Sequence, residues 1–149
     1  MNVTLDTTVL AKGLIPPMRR KKDVLYEEQS RLHVIAKSII SKVESKESVM
    51  HIPSVAVVEI AAIGARLTGK EEKGIEVSDF VENHGKIVYD IDLMSEAVRI
   101  AAKTKISGFD SIFIACAKTT NSMLITDDKK MHEAADRVGV SSKLLREMA

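Results

Sequence analysis

The sequence predicts an α/β fold in which a short parallel sheet is covered by helices on both faces. Two patterns and the chain length carry this reading. Runs of three to five residues (Val3-Thr4-Leu5, Val49 to Pro53, Lys86 to Asp90 and Met123-Leu124-Ile125) are short and nearly continuously apolar, as strands buried on both faces are. Between them lie longer stretches with apolar residues at helical spacing, and that alternation belongs to parallel sheets with crossover helices. The 149 residues fit one domain spanning 1–149, large enough to bury about 68–70% of its unfolded surface.

In order along the chain, Val3-Thr4-Leu5 is a strand that stops at Asp6. Residues 7–14 begin a helix that Gly13 and Pro16-Pro17 end. From Asp23 to Val43, Leu25, Leu32, Ile35, Ile39 and Val43 mark one face of a long amphipathic helix. That face either enters the core or pairs two copies of the chain. Val49 to Pro53 is the second strand, after which Ser54 caps a helix to Leu67 and Gly69 closes it. A further helix runs from Glu72 to Asn83 and ends at Gly85. Lys86 to Asp90 is the third strand, and Asp92 caps a helix carrying Leu93, Ala97, Ile100 and Ala101. After Ser107-Gly108-Phe109-Asp110, the residues Ile112, Phe113, Ala115, Cys116 and Ala117 make the next helix apolar nearly all round, hence central. Met123-Leu124-Ile125 is the fourth strand, and Thr126-Asp127-Asp128 opens a helix to Val138. Gly139, a short edge strand at Val140 and a terminal helix complete the chain.

Composition narrows the function classes. Lys plus Arg is 22 and Asp plus Glu 21, so no polycationic packaging role fits, although a local basic patch does. One cysteine, Cys116, excludes an internal disulfide framework and a multi-thiolate zinc site. It reads as a core residue, as His51 reads as a structural histidine and the seven Met as gap fillers. The most apolar stretch, Ile52 to Ala65, is broken by Ser54 and Glu59 and is too short to span a membrane. The first residues carry no basic targeting segment, and a cytoplasmic location is expected.

The acids follow the strand ends. Asp6 closes the first strand, Glu59 lies about a turn into the helix after the second, Asp110 opens the buried helix, and Asp127 and Asp128 follow the fourth strand. In open parallel sheets functional groups collect beyond the carboxyl ends of the strands. Clustered carboxylates raise one another's pKa unless a cation joins them. An all-oxygen set without obligatory His or Cys points to Mg²⁺ or Mn²⁺, and such sites most often hydrolyse phosphodiesters. Each acid also has a structural reading. Asp6 suits a turn, Ser107 to Asp110 a capping box, and one of Asp127 and Asp128 an N-cap. Glu59, set among apolar residues, calls for a partner, either a metal or Arg66.

Leu5-Asp6-Thr7-Thr8-Val9-Leu10, Val58-Glu59, Phe109-Asp110-Ser111 and Leu124-Ile125-Thr126-Asp127-Asp128, in that order, resemble the PIN domain, a family that includes VapC-type toxins of toxin–antitoxin pairs and stand-alone archaeal-type nucleases. The resemblance spans essentially the whole chain. It implies a three-layer α/β/α sandwich and a Mg²⁺- or Mn²⁺-dependent endoribonuclease. Position by position, the family's acids fall on Asp6, Glu59, Asp110 and Asp128, with Asp127 as a further metal candidate. Thr8 stands where the family commonly has Asn or Ser, and Thr126 matches its hydroxyl near the acids. The charged segment 16–31 is long compared with short toxin members. The implied partners are an RNA substrate, an antitoxin protein and a second copy of the chain.

An acidic site needs flanking cations to hold RNA, and Arg19, Arg20, Lys21 and Lys22, with Lys12 nearby, form the strongest run. Lys129 and Lys130 fit a solvated helix face better. The alternative function is a non-catalytic PIN-like scaffold that binds RNA or protein. A phosphoacceptor receiver domain needs paired acids after the first strand, and a dehalogenase-type phosphatase needs Asp-x-Asp; Asp6-Thr7-Thr8 supplies neither. No P-loop or dinucleotide motif is present.

Overall fold

The computed structural model describes residues 1–149. Five strands, β1 (Asn2–Leu5), β2 (Val49–Pro53), β3 (Gly85–Val88), β4 (Met123–Thr126) and β5 (Ser142–Leu144), form one parallel sheet in the order β3-β2-β1-β4-β5. Helices α1 (Thr7–Leu14), α2 (Val24–Glu44), α3 (Ser54–Thr68), α4 (Glu71–His84), α5 (Asp90–Thr104), α6 (Gly108–Thr120) and α7 (Lys129–Arg137) connect them, and a 3₁₀ turn, Leu145–Glu147, follows β5. The chain steps outward from β1 to β3, then crosses back to β4 and β5. Right-handed crossovers therefore place α1–α4 on one face and α5–α7 on the other. The packing agrees: α1 lies on α2 and α3, α3 on α4, α5 on α6, and α6 on α7. The result is the expected three-layer α/β/α sandwich. Its direction reverses at β1, so the crevice beyond the carboxyl ends of β1 and β4 is the natural place for a site.

The core explains several departures from the sequence reading. In α6, Ser111 and Phe113 to Ala117 are buried, as its all-round apolar pattern requires; burying Phe113 or Ile114 contributes about 1.5–3 kcal/mol each. The α2 stripe goes into the core: Leu32, Ala36, Ile40 and Val43 are buried, with Ile35 and Ile39 packed beside them. Gly13 does not end α1 but lies inside it. A Cβ there would fall 2.3 Å from Ile40 Cδ1, so the residue serves the close approach of α1 to α2.

The helix starts differ in an informative way. Ser54 does not cap its own helix, and α5 begins at Asp90, two residues before the expected cap Asp92. The two helices cap one another instead. Asp90 Oδ1 accepts from the Val55 amide at 3.2 Å, and Ser54 Oγ accepts from the Asp90 amide at 3.1 Å. Each side chain satisfies a donor that its neighbour's first turn leaves free. At the C-terminus, Val140 precedes β5 without joining it, and the expected terminal helix is one 3₁₀ turn whose Leu145 is buried. No helix is long and apolar enough to cross a membrane.

Candidate active site

The crevice at the sheet reversal is a cleft of about 400 Å³, lined by acids from four separate segments: Asp6, Glu59, Asp110, and the adjacent Asp127 and Asp128. Each arrives by a local device. Asp6 is the N-cap of α1, positioned as β1 ends, and its amide donates to the Ile125 carbonyl of β4 at 3.1 Å. Glu59 stands on the second turn of α3, Asp110 in the first turn of α6, and Asp128 at the N-cap of α7.

Asp6 is the most tightly held. Its Oδ1 accepts from the Thr8 hydroxyl at 2.8 Å and from the Val9 amide at 2.8 Å, and its Oδ2 accepts from the fully buried Thr126 hydroxyl. Thr126 in turn accepts from the Asp128 amide at 3.1 Å, so one hydroxyl links the acids of β1 and β4. Both sequence-predicted hydroxyls therefore converge on Asp6. Burial raises its pKa above the ordinary carboxylate range, and the three hydrogen bonds together with Lys12 offset only part of that.

Asp110 resolves its capping-box ambiguity. Ser107 caps α6 by accepting from the Asp110 amide at 3.1 Å, but the Asp110 carboxylate accepts no backbone amide in return. It is left in the cleft without a cation. Burial raises its pKa, and the negative charge of Asp128 raises it further, against a smaller opposing effect of Ser107. Asp128 is both cap and cleft residue: its Oδ1 accepts from the amides of Lys130 at 2.8 Å and Met131 at 3.3 Å, leaving Oδ2 free.

Glu59 corrects the expectation of a buried carboxylate. Ala56, Ile60 and Gly64 take the inward face of α3, which leaves Glu59 half-buried at the cleft with neither Arg66 nor any other cation paired to it. Asp127 departs furthest from the reading as a metal candidate. Lys12 Nζ lies 2.7 Å from its Oδ2 and Arg146 Nε 2.9 Å from its Oδ1. Burial alone would raise its pKa, but the two cations outweigh it and hold the carboxyl below the ordinary range. Sequence reasoning missed Arg146, which reaches the cleft rim only because the chain turns after β5. It also missed Thr7, a cleft-lining residue whose buried hydroxyl has no hydrogen-bond partner.

The basic run lies elsewhere. None of Arg19, Arg20, Lys21 and Lys22 lines the cleft. Arg19 pairs with Asp23, the α2 cap, at 2.6 Å, and its hydrogen bond draws the Asp23 pKa down to about 2. Lys22 lies 5.9 Å from the centre of the Tyr26 ring. Cys116 is buried, and its burial pushes the thiol up to about 12, so it is inert packing.

The family model of the PIN domain matches residues 23–137. The chain belongs to the PIN domain family. That matched span includes Glu59, Asp110, Asp127 and Asp128, while Asp6 and Thr8 lie before it. Solved structures share the PIN fold along nearly the whole length. VapBC2 from Rickettsia felis, bound to a promoter DNA fragment, is similar with TM-score 0.63 at 13% identity, covering 97% of this chain and 98% of that one. FitAcB from Neisseria gonorrhoeae gives 0.58 at 16%, covering 98% and 99%. VapBC-1 from nontypeable Haemophilus influenzae gives 0.60 at 14%, covering 99% and 100%. Among curated proteins, no sequence matches.

PIN nucleases use divalent metal ions, and the donors present fit one. They are hard oxygens, and two neighbouring carboxylates (Asp110 and Asp128) lack a cation. In this structure no three His, Cys, Asp or Glu side chains stand close enough together to hold a metal ion among them.

Proposed function

We propose that this chain is a Mg²⁺- or Mn²⁺-dependent endoribonuclease that hydrolyses RNA phosphodiester bonds and acts as the toxin of a toxin–antitoxin pair. The observation that carries the nuclease reading is the uncompensated Asp110–Asp128 pair, set in the cleft at the sheet reversal beside Asp6 and Glu59. Asp6, Asp110 and Asp128 would hold the metal, some through water, with Glu59 left to act on the attacking water. Asp127, neutralised by Lys12 and Arg146, is removed from that set. The bound ion would polarise the phosphoryl oxygen, acidify a water and support the leaving oxygen.

The chain's own groups have distinct tasks. Thr8, Val9 and Thr126 fix the orientation of Asp6. Thr126 also links Asp6 to the start of the Asp128 segment through one hydroxyl. Glu59, free of ion pairs, orients the attacking water and accepts its proton. Water adds to phosphorus in line with the 3′ oxygen as Glu59 takes its proton, the P–O3′ bond breaks, the departing O3′ takes a proton from solvent, and the products carry 5′-phosphate and 3′-hydroxyl ends. No histidine lines the cleft to act as the base.

The VapC-type resemblance and the VapBC names of two structural neighbours support an antitoxin partner. A homodimer is supported by α5, where Ile91, Met94 and Val98 form an exposed apolar strip, since a strip matching its own copy suits a two-fold interface. Light scattering at micromolar concentration that returns a monomer removes that part. The nuclease reading is tested by incubating labelled RNA with Mn²⁺, with EDTA, and with Asp110→Asn. Cleavage confined to the wild type with metal is expected. Cleavage by Asp110→Asn at the wild-type rate refutes the site, and RNA binding without any cleavage supports the scaffold alternative.

A further inference from the structure

A second groove, of about 350 Å³, shares the Asp110–Asp128 wall with the cleft and sets three cations beside those acids. Lys105, Lys130 and Arg137 line it, and none of them is within ion-pair distance of a carboxylate. Glu133 is the one other acid on its wall, so apart from the shared Asp110 and Asp128 the lining is net positive.

Each cation is placed by fold geometry. Lys105 occupies the left-handed position that closes α5, with φ of 62°, which ties its backbone to the Ala101 carbonyl. Arg137 ends α7 and donates from its guanidinium to the Lys103 carbonyl at 3.0 Å, joining the end of α7 to the end of α5. Lys130 sits in the first turn of α7, beside the cap Asp128. The three come from two helices that meet at the groove. By contrast, the run Arg19–Lys22 contributes to neither the cleft nor this groove.

We propose that this groove, lined by Lys105, Lys130 and Arg137, holds the phosphates of the single-stranded RNA flanking the bond cleaved between Asp110 and Asp128. The inference rests on the nuclease reading for the identity of the cleft and adds the path of the strand. The shared Asp110–Asp128 wall lets one strand pass from the acidic cleft to the three cations of the groove without leaving the surface. The cations offset the repulsion that the acids impose on a polyanion, and they do so within a few residues of the acids themselves. A groove of this kind contacts backbone and carries no base code.

The test uses the full chain and fluorescence anisotropy of a labelled single-stranded RNA oligomer in EDTA, so that binding is read without cleavage. Kd is followed against salt concentration. Lys105→Gln, Lys130→Gln and Arg137→Gln are each expected to weaken binding about 3–10-fold and to lower the salt slope by about 0.7, the value for one phosphate contact on a single strand. Lys130→Arg should restore the slope. Because Arg137 also ties two helices, the surface variants Lys105→Gln and Lys130→Gln carry the decision should Arg137→Gln fail to fold. Unchanged slopes in those two overturn the proposal, as does a slope abolished by replacing Arg19, Arg20, Lys21 and Lys22 instead. Absence of cleavage by the wild type with Mn²⁺ refutes the nuclease reading while these slopes still decide the groove; RNA that does not bind the wild type at all overturns the groove proposal.

Discussion

Asp127 and Asp128 are neighbours in the chain, follow the same strand and line the same cleft, yet they end in opposite electrostatic states. Asp127 is clasped by Lys12 from α1 and Arg146 from the turn after β5. Asp128 receives two backbone amides on one oxygen and faces another carboxylate, Asp110. The difference teaches that a carboxylate's role is set by which elements arrive around it, not by its place in a motif. A structural acid is matched by cations the fold brings to it. An acid available for chemistry is left with charge to spare.

The sharpest way to break this contrast is catalytic. Asp110→Asn or Asp128→Asn should lower Mn²⁺-dependent RNA cleavage at least about 100-fold, ~3 kcal/mol of barrier, in single-turnover assays. A loss under tenfold in both removes the distinction. Metal affinity sharpens it next. By calorimetry, Asp128→Asn should weaken Mn²⁺ binding about tenfold or more, whereas Asp127→Asn should leave it within about twofold.

Stability against pH separates the two states by sign. The Asp110 pKa is raised, so its contribution is present below the ordinary carboxylate pKa and is lost as pH rises through the raised value. The Asp127 pKa is lowered, so its contribution is present above the ordinary value and is lost as pH falls through the depressed one. In EDTA at pH 7, Asp110→Asn should therefore raise Tm by about 1–2 °C, a figure reduced by the partial exposure of the group. Asp127→Asn should lower it by about 2–4 °C, with the deficit closing on acidification. Calorimetric scans from pH 3 to 8 check both, and shifts of the same sign would contradict the assignment. The smallest effect is ionic. Because Lys12 and Arg146 are partly exposed, raising salt to 0.5 M should shrink the Asp127→Asn deficit to within about 1 °C.

The fold was legible because its signals are local and repeated: buried strands such as Met123–Thr126 are short and apolar, and α6 is apolar all round. The acids were legible because strand ends and helix starts fix where a side chain goes. What could not be read was long-range pairing. Ser54 and Asp90 lie 36 residues apart and each looks like a cap for its own helix, yet they exchange roles. Arg146 is separated from Asp127 by α7 and β5, and nothing in its own neighbourhood marks it as a rim residue. The run Arg19–Lys22 misled for a related reason: density of charge in sequence does not place it near the cleft, whereas Lys105, Lys130 and Arg137, scattered in sequence, are gathered by two helices.

The central place of β1 bears on how the protein is made. Its partners are residues 49–50 on one side and 123–125 on the other, so β1 is made long before its second neighbour arrives to enclose it. At translation rates of about 5–20 residues per second, several seconds separate the arrival of those two partners. Throughout that interval Asp6 has no Thr126 to hold it and no Asp128 beside it. A chain still lacking β4 thus carries no assembled cleft, and whatever the cleft does to other molecules begins only once β4 and Asp128 have emerged from the ribosome.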